Sequence, residues 1–209
     1  LESAINSEND QPPGFYKVEF SMSRRTDWDA TPSKSSHLET TLGVIGASDP
    51  DQNGVVSLNN SANDYGKFLS KHDGSRLHAK DNYSLFYTPT YTIDSYGRWL
   101  GSAEKQFKGK ASPTALANIF LATENRLQKQ SDDRYCWYVF GDGAKQLVKA
   151  LKEYRLKKTH LLSRHHDFIF VAPKVPIGEL KAALNDVGVE LTAGMLKLED
   201  APPSAKLNM

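Results

Sequence analysis

The sequence has little cysteine, no long apolar run and almost no net charge. Its 209 residues include a single cysteine, Cys136, so no disulfide can form within the chain. Cys136 lies in an apolar run, where a packed and unreactive thiol is the simplest interpretation. No apolar run approaches the roughly 20 residues of a membrane-spanning helix. The net charge of +1 argues against a dedicated nucleic-acid-binding protein.

Several chemical motifs are also missing. The sequence contains no Gly-Xaa-Ser-Xaa-Gly motif, and no histidine follows His166. A serine hydrolase of the α/β type needs both that elbow and a late histidine, so ordinary serine-esterase activity is not expected. Residues 49–54 resemble the start of a calcium loop, but Asn60 occupies the twelfth position, where a bidentate glutamate should be. We therefore expect no metal site, and no cofactor is indicated.

The composition and length are those of a soluble globular domain. Hydrophobic residues make up 39% of the chain and charged residues 24%, which leaves enough apolar surface for one substantial core. The polar stretches at the two ends predict a flexible tail over residues 1–14 and a second tail over 201–209. Between them the sequence predicts a single α/β domain over residues 15–200, with its core in residues 83–192.

Strand and helix patterns alternate in the second half. The run Tyr135–Phe140 indicates a buried strand, and the apolar spacing after Gly143 indicates a helix. Ser112 followed by Pro113 is typical of a helix start, and Gly188 of a helix end. The alternation predicts a three-layer α/β fold with a mainly parallel sheet and helices on both faces.

The first half gives weaker signals, and we interpret it as an irregular, β-containing N-terminal part. Residues 15–22 alternate as a half-buried strand does, and residues 42–45 form a short apolar run that predicts a weak strand. The polar residues 23–36 predict a loop. Near the other end of the chain, residues 189–191 predict a last strand.

The turn Gly141-Asp142-Gly143 is the candidate functional site. It joins a buried strand to a helix, and ligands in parallel sheets bind at the carboxyl ends of the strands. The same edge should present Thr88 and Lys174, which with Gly141 and Gly143 form the predicted ligand-binding set. Asp142 is either a catalytic nucleophile or a cap of the helix that follows.

Short strings in the second half carry a family resemblance. Residues 84–90 (SLFYTPT), the Ser-Pro helix start, the tryptophan-containing strand with its sharp turn, and residues 171–176 (VAPKVP) lie in the same order as in a known group. Over about residues 83–200 the chain resembles the α/β-hydrolase-like domains of large bacterial secreted and surface-displayed proteins, including filamentous-haemagglutinin-type toxins. The resemblance implies a hydrolase-like fold in a secreted or translocated protein of a bacterial secretion or toxin system.

The chain departs from that family where the chemistry would be. The resemblance places a serine nucleophile at the turn, and Asp142 occupies that position here. Phe140 fills a position that the tight elbow prefers to be small. The catalytic histidine should follow the last βα unit, whereas His165 and His166 precede the strand 167–172, at its amino end.

These departures favour a non-catalytic pseudo-hydrolase that binds a protein partner or a ligand. The alternative is an active hydrolase that uses Asp142 as a carboxylate nucleophile, assisted by His165, His166 or Asp94. A phosphate or nucleotide binder is disfavoured, because an acidic residue lies where the anion would bind. The basic cluster 155–166 is suited to an acidic partner, but a solvated helix end is the favoured interpretation, because Lys and Arg are common at helix C-termini.

Overall fold

The computed structural model describes residues 14–21, 28–48, 58–74, 82–89, 111–127, 131–157 and 161–197. Within these ranges the strands are β1 (Gly14–Phe20), β2 (Trp28–Pro32), β3 (Leu42–Ser48), β4 (Tyr83–Pro89), β5 (Tyr135–Phe140), β6 (His166–Val171) and β7 (Leu196–Lys197). The α-helices in the same ranges are α1 (Leu58–His72), α2 (Pro113–Arg126), α3 (Gly143–Lys157) and α4 (Ile177–Asn185). Short 3₁₀ turns occupy Leu162–Arg164 and Ala193–Met195.

The strands form one mixed seven-stranded sheet in the order β2-β1-β4-β3-β5-β6-β7. The four pairings from β4 to β7 are parallel, and the two pairings made by β1 are antiparallel. Counted in chain order, the parallel strands follow the pattern 2-1-3-4-5, one of the common doubly wound arrangements. Its switch point lies between β3 and β5. The predicted α/β class and the parallel core are therefore confirmed.

Helices cover both faces of the sheet. Helix α1 packs on one face, where Tyr65 and Phe68 meet Tyr138 and Phe140 of β5. Helices α2, α3 and α4 cover the other face, and their core includes Trp137 of β5. Side chains of β5 alternate between the two cores, which explains why the whole strand reads as apolar. Cys136 is 2% exposed on the α1 face, so the prediction of a buried thiol is confirmed.

Strand β3 lies at the centre of the sheet. The sequence predicts only a weak strand at residues 42–45, yet β3 pairs with both β4 and β5. Tight packing requires a glycine at position 43, because a Cβ at Gly43 would lie 2.6 Å from the Trp137 ring. Gly43, which weakens the strand signal, therefore makes room for an aromatic ring of the neighbouring strand.

Two local predictions are wrong. Residues 28–32, placed in a loop by their polar composition, form β2 on the edge of the sheet. Residues 189–191 are not a strand; the last described strand is β7, a few residues later. An edge strand needs few apolar residues because its pairing with β1 supplies the backbone hydrogen bonds.

Some expectations concern residues outside the described ranges. These are the calcium-like residues 49–54, Asp94, residues 1–13 of the predicted N-terminal tail and all of the predicted C-terminal tail. Within the described ranges, no helix is long and apolar enough to cross a membrane.

Candidate functional site

The turn after β5 is held by the backbone of β6. Gly141 has φ of +51°, a left-handed conformation that costs glycine little. Its N–H donates to the Val171 carbonyl at 3.0 Å, and its own carbonyl accepts the Lys174 N–H at 3.0 Å. Strand β5 therefore ends in a sharp turn whose geometry is fixed by β6.

The first residue of α3 lies directly against β3. A Cβ built on Gly143 would lie 2.6 Å from the Ile45 carbonyl oxygen, so only glycine allows this approach. The N-terminus of α3 thus reaches the switch point between β3 and β5, where doubly wound folds bind their ligands.

Asp142 is buried and ion-paired. Its residue is 7% exposed, and its Oδ1 lies 2.6 Å from the Lys145 ammonium, one turn along α3. Its Oδ2 lies 4.0 Å from the Lys174 ammonium. Oδ1 accepts no hydrogen bond of regular geometry from the described residues, so the contact with Lys145 is an ion pair and Oδ1 does not cap a backbone N–H of α3. Two lysines balance the charge of this carboxylate.

Thr88 lies at the same edge but further along the sheet. Its partner in register is Ala47 of β3, and β3 separates β4 from β5. Two strand spacings place Thr88 roughly 10 Å from the Gly141 strand. Its hydroxyl is buried without a hydrogen-bond partner in the part of the chain that the structure describes. The structure therefore brings Gly141, Asp142, Gly143 and Lys174 together and leaves Thr88 apart.

The carboxyl end of β6 contains a strained residue that sequence reasoning missed. Ala172 has φ of +44°, in a region that residues with a Cβ rarely adopt. Its N–H donates to the Lys197 carbonyl of β7 at 2.9 Å. Such strain concentrates at functional edges of folds, and here it directs the chain from β6 back towards the Gly141 turn.

His165 and His166 lie at the opposite edge of the sheet. His166 is paired in register with Tyr135, and Val171 with Phe140, so five residues of strand separate the histidines from the Asp142 turn. That length is roughly 16 Å. Neither imidazole can reach Asp142 across this distance.

The two histidines instead share the carboxylate of Glu124 on α2. His165 Nδ1 lies 3.2 Å from Oε2, and His166 Nε2 lies 3.0 Å from Oε1, although the latter contact misses regular hydrogen-bond geometry. The Trp137 indole N–H donates to His166 Nδ1 at 3.0 Å. Because Nδ1 accepts a hydrogen bond, the proton of the neutral ring is on Nε2 and faces Glu124.

The protonation states follow from burial and these contacts. Burial lowers the pKa of His166, against the opposing effect of Glu124, so the ring stays neutral. Burial alone would raise the pKa of Glu124, but the close contact with His166 and the nearby imidazole of His165 hold it below its usual value. The cluster is therefore a buried carboxylate with two imidazole donors. No spacing in the sequence connects Glu124 with residues 41 positions away.

The described histidines, cysteine and acidic residues form no group of three that could hold a metal ion. No family model matches the chain, and neither a curated protein nor a solved structure matches it.

Proposed function

We propose that the protein is a non-catalytic α/β-hydrolase-like module that binds a protein partner or ligand at the carboxyl edge of its sheet. The observation that carries the proposal is the state of Asp142. A carboxylate with an ammonium group 2.6 Å from one oxygen is shielded on that side, whereas a nucleophile needs an exposed oxygen beside a base.

The shape of the turn also supports the absence of catalysis. In a Gly-Xaa-Ser-Xaa-Gly elbow the nucleophile is the strained residue, and a small residue follows two positions later. Here the residue with positive φ is Gly141, and the residue with no room for a Cβ is Gly143. Aligned on this geometry, the nucleophile position is occupied by glycine, which has no side chain to react. Asp142 then corresponds to the variable residue after it.

The positions of the histidines argue in the same direction. A general base must lie within hydrogen-bond reach of its nucleophile, directly or through one water. His165 and His166 are bound to Glu124 at the other edge. The remaining features of a hydrolase elbow, a helix N-terminus and a tight turn, suit binding without reaction. A role in a bacterial secretion or toxin system rests on the sequence resemblance alone.

Activity assays test the proposal directly. We expect no labelling by a fluorophosphonate probe and no turnover of p-nitrophenyl esters above the rate of a denatured control. Labelling at a serine would show that a nucleophile lies elsewhere in the chain and would overturn the proposal.

The alternative function is a hydrolase in which Asp142 attacks carbon, as in enzymes that displace halide or open epoxides. Its support is the burial of a carboxylate at a strand end beside two lysines. Under this alternative, turnover of haloalkanes or epoxides disappears in Asp142→Asn. Under the proposal, the wild-type protein and Asp142→Asn are equally inactive.

A further inference from the structure

A cleft opens at the amino edge of the sheet, away from the Asp142 turn. It lies between the C-terminal end of α2, the segment before β3 and the segment leading into β5, and it encloses about 660 Å³. This volume is within the range of roughly 300–1,000 Å³ that holds small molecules in proteins. None of its described lining residues belongs to the proposed carboxyl-edge site, so the cleft is a separate feature.

The inner walls of the cleft are fixed by hydrogen bonds. The Leu38 N–H donates to Thr123 Oγ1 at 3.0 Å, which ties the segment before β3 to α2. The Tyr135 N–H donates to the His165 carbonyl at 2.7 Å. The Tyr135 ring packs on the His166 ring, with 5.5 Å between centroids and 30° between planes. The backbone at Leu38 and the ring of Tyr135 are thus held in place without a ligand.

The charges around the cleft are mainly negative. Glu39 and Asp133 contribute exposed carboxylates to its lining. The C-terminal end of α2 adds partial negative charge through its last carbonyl groups. Burial, then the charge of Asp133, raises the pKa of Tyr135; the charge of Arg126 acts against them, and Glu124 acts in the same direction as Asp133. The tyrosine therefore presents a neutral aromatic ring beside these charged groups.

Among the described lining residues the one cation is Arg126. Its guanidinium Nη1 contacts His37 Nε2, which lies outside the cleft lining. Two carboxylates, a helix C-terminus and an aromatic ring thus face one arginine that is partly engaged elsewhere. The carboxylates attract a cation through their charge, the C-terminus of α2 through the helix dipole, and the aromatic ring through its face.

We propose that this amino-edge cleft binds a small organic cation, with an ammonium or guanidinium group between Glu39 and Asp133 and a short aliphatic chain beside Leu127. The ring of Tyr135 contributes a cation–π surface. The chemical class is an amine or guanidine with a short aliphatic chain. The same group is available from a free metabolite or from a lysine or arginine side chain of a partner.

Titration calorimetry with agmatine and spermidine tests the proposal, with a short arginine-containing peptide as a third probe. We expect saturable binding of at least one probe, weakened by added salt. Binding of agmatine or spermidine identifies a free amine as the source, and binding of the peptide alone identifies a partner side chain. Absence of binding by all three probes overturns the proposal.

Isosteric variants distinguish the cleft from general attraction to the surface. Glu39→Gln and Asp133→Asn should each weaken binding by about tenfold, the scale of a hydrogen bond to a charged group. Tyr135→Leu should weaken it and Tyr135→Phe should not, because Phe keeps the ring. Arg126→Gln should tighten it by removing the opposing charge. The control is Glu179→Gln, an exposed carboxylate on α4 that should change nothing.

The opposite charge preference would contradict this inference. If citrate binds in place of the amines and Arg126→Gln abolishes that binding, the cleft is an anion site. Equal affinities in wild type, Glu39→Gln and Asp133→Asn would show that the amines bind elsewhere. Circular dichroism of each variant confirms that the fold is retained. The cleft and the Asp142 turn lie at opposite edges of the sheet. Neither result of the binding experiments therefore tests the carboxyl-edge proposal, which the activity assays test separately.

Discussion

The two edges of the sheet hold their buried carboxylates in different ways. At the carboxyl edge, Asp142 is paired with two lysines, and Oδ1 accepts no regular hydrogen bond from the described residues. At the amino edge, Glu124 is shared by two imidazoles, one of which is oriented by Trp137. An ion pair with ammonium groups on long side chains can rearrange around a ligand, whereas a buried network of rings is part of the core. The partners, not the carboxylates themselves, therefore distinguish a site that can rearrange around a ligand from one that is fixed in the core.

The largest expected effect concerns the close approach of α3 to β3. Gly143→Ala should lower the free energy of unfolding by about 2–3 kcal/mol, because the new methyl group would overlap the Ile45 carbonyl. Gly178→Ala is the matched control, since nothing lies within 4 Å of a Cβ at that helical position. It should stabilise by about 0.4–1 kcal/mol. Urea unfolding of both variants measures the difference; equal changes would show that α3 can shift away from β3.

The second effect concerns the carboxylate at the amino edge. Glu124→Gln should cost about 1.5–3 kcal/mol of unfolding free energy, because the amide presents an N–H group to one of two imidazole donors. Glu179→Gln, on the surface of α4, should change stability by less than about 0.5 kcal/mol. Denaturant titration at pH 7 compares them. A cost below that of the control would mean that the histidines find other partners.

The pH dependence of stability should identify the same cluster. The folded pKa of His166 is lowered, so below its unfolded value near 6.5 the unfolded chain binds a proton that the folded protein does not. The folded pKa of Glu124 is also lowered, so its contribution is present above the unfolded value and is lost as pH falls through the folded value. Acidification therefore destabilises through both groups.

His166→Gln isolates the histidine contribution. Between pH 6.5 and 5 the wild type should lose up to about 1.4 kcal/mol more per pH unit than this variant, the limit for one proton. Urea unfolding across that range measures the two slopes. Parallel slopes would show that His166 does not couple protonation to folding.

The smallest expected effect is at Asp142. Asp142→Asn should change the free energy of unfolding by less than about 1 kcal/mol, because the amide keeps the size of the carboxylate and the lysines can return to water. A double-mutant cycle with Lys145→Met gives the coupling of the pair directly. If the coupling energy of Asp142 with Lys145 exceeded that of Glu124 with its histidines, the carboxyl edge would hold its carboxylate more firmly than the amino edge does.

Local signals in the sequence predicted the elements that depend on local chemistry. Ser112 caps α2 by accepting the Ala115 N–H at 3.1 Å, and Gly188 adopts φ of +81° after α4. The unbroken apolar run predicted β5. Strand β2 was missed because it forms by pairing with β1. The polar residues of β2 give no strand pattern of their own.

The candidate site was predictable in place but not in detail. The turn Gly141-Asp142-Gly143 has a spacing that marks the junction of strand and helix, and the structure has that junction. The lysine three residues after Asp142 gave a signal for the ion pair, since such spacing places side chains on one helix face. The Glu124 cluster and the amino-edge cleft join segments far apart in the chain, and no local pattern indicates such contacts.

The central position of β3 has a consequence for how the protein is made. Leu42 pairs in register with Cys136, so β3 must wait for a partner that is translated 94 residues later. At elongation rates of about 5–20 residues per second, this delay is roughly 5–20 s. During that time an apolar strand has one edge without its final neighbour, which invites pairing with other chains. Slow synthesis of the segment between β4 and β5 should therefore reduce the yield of folded protein, and a chaperone that shields β3 should restore it.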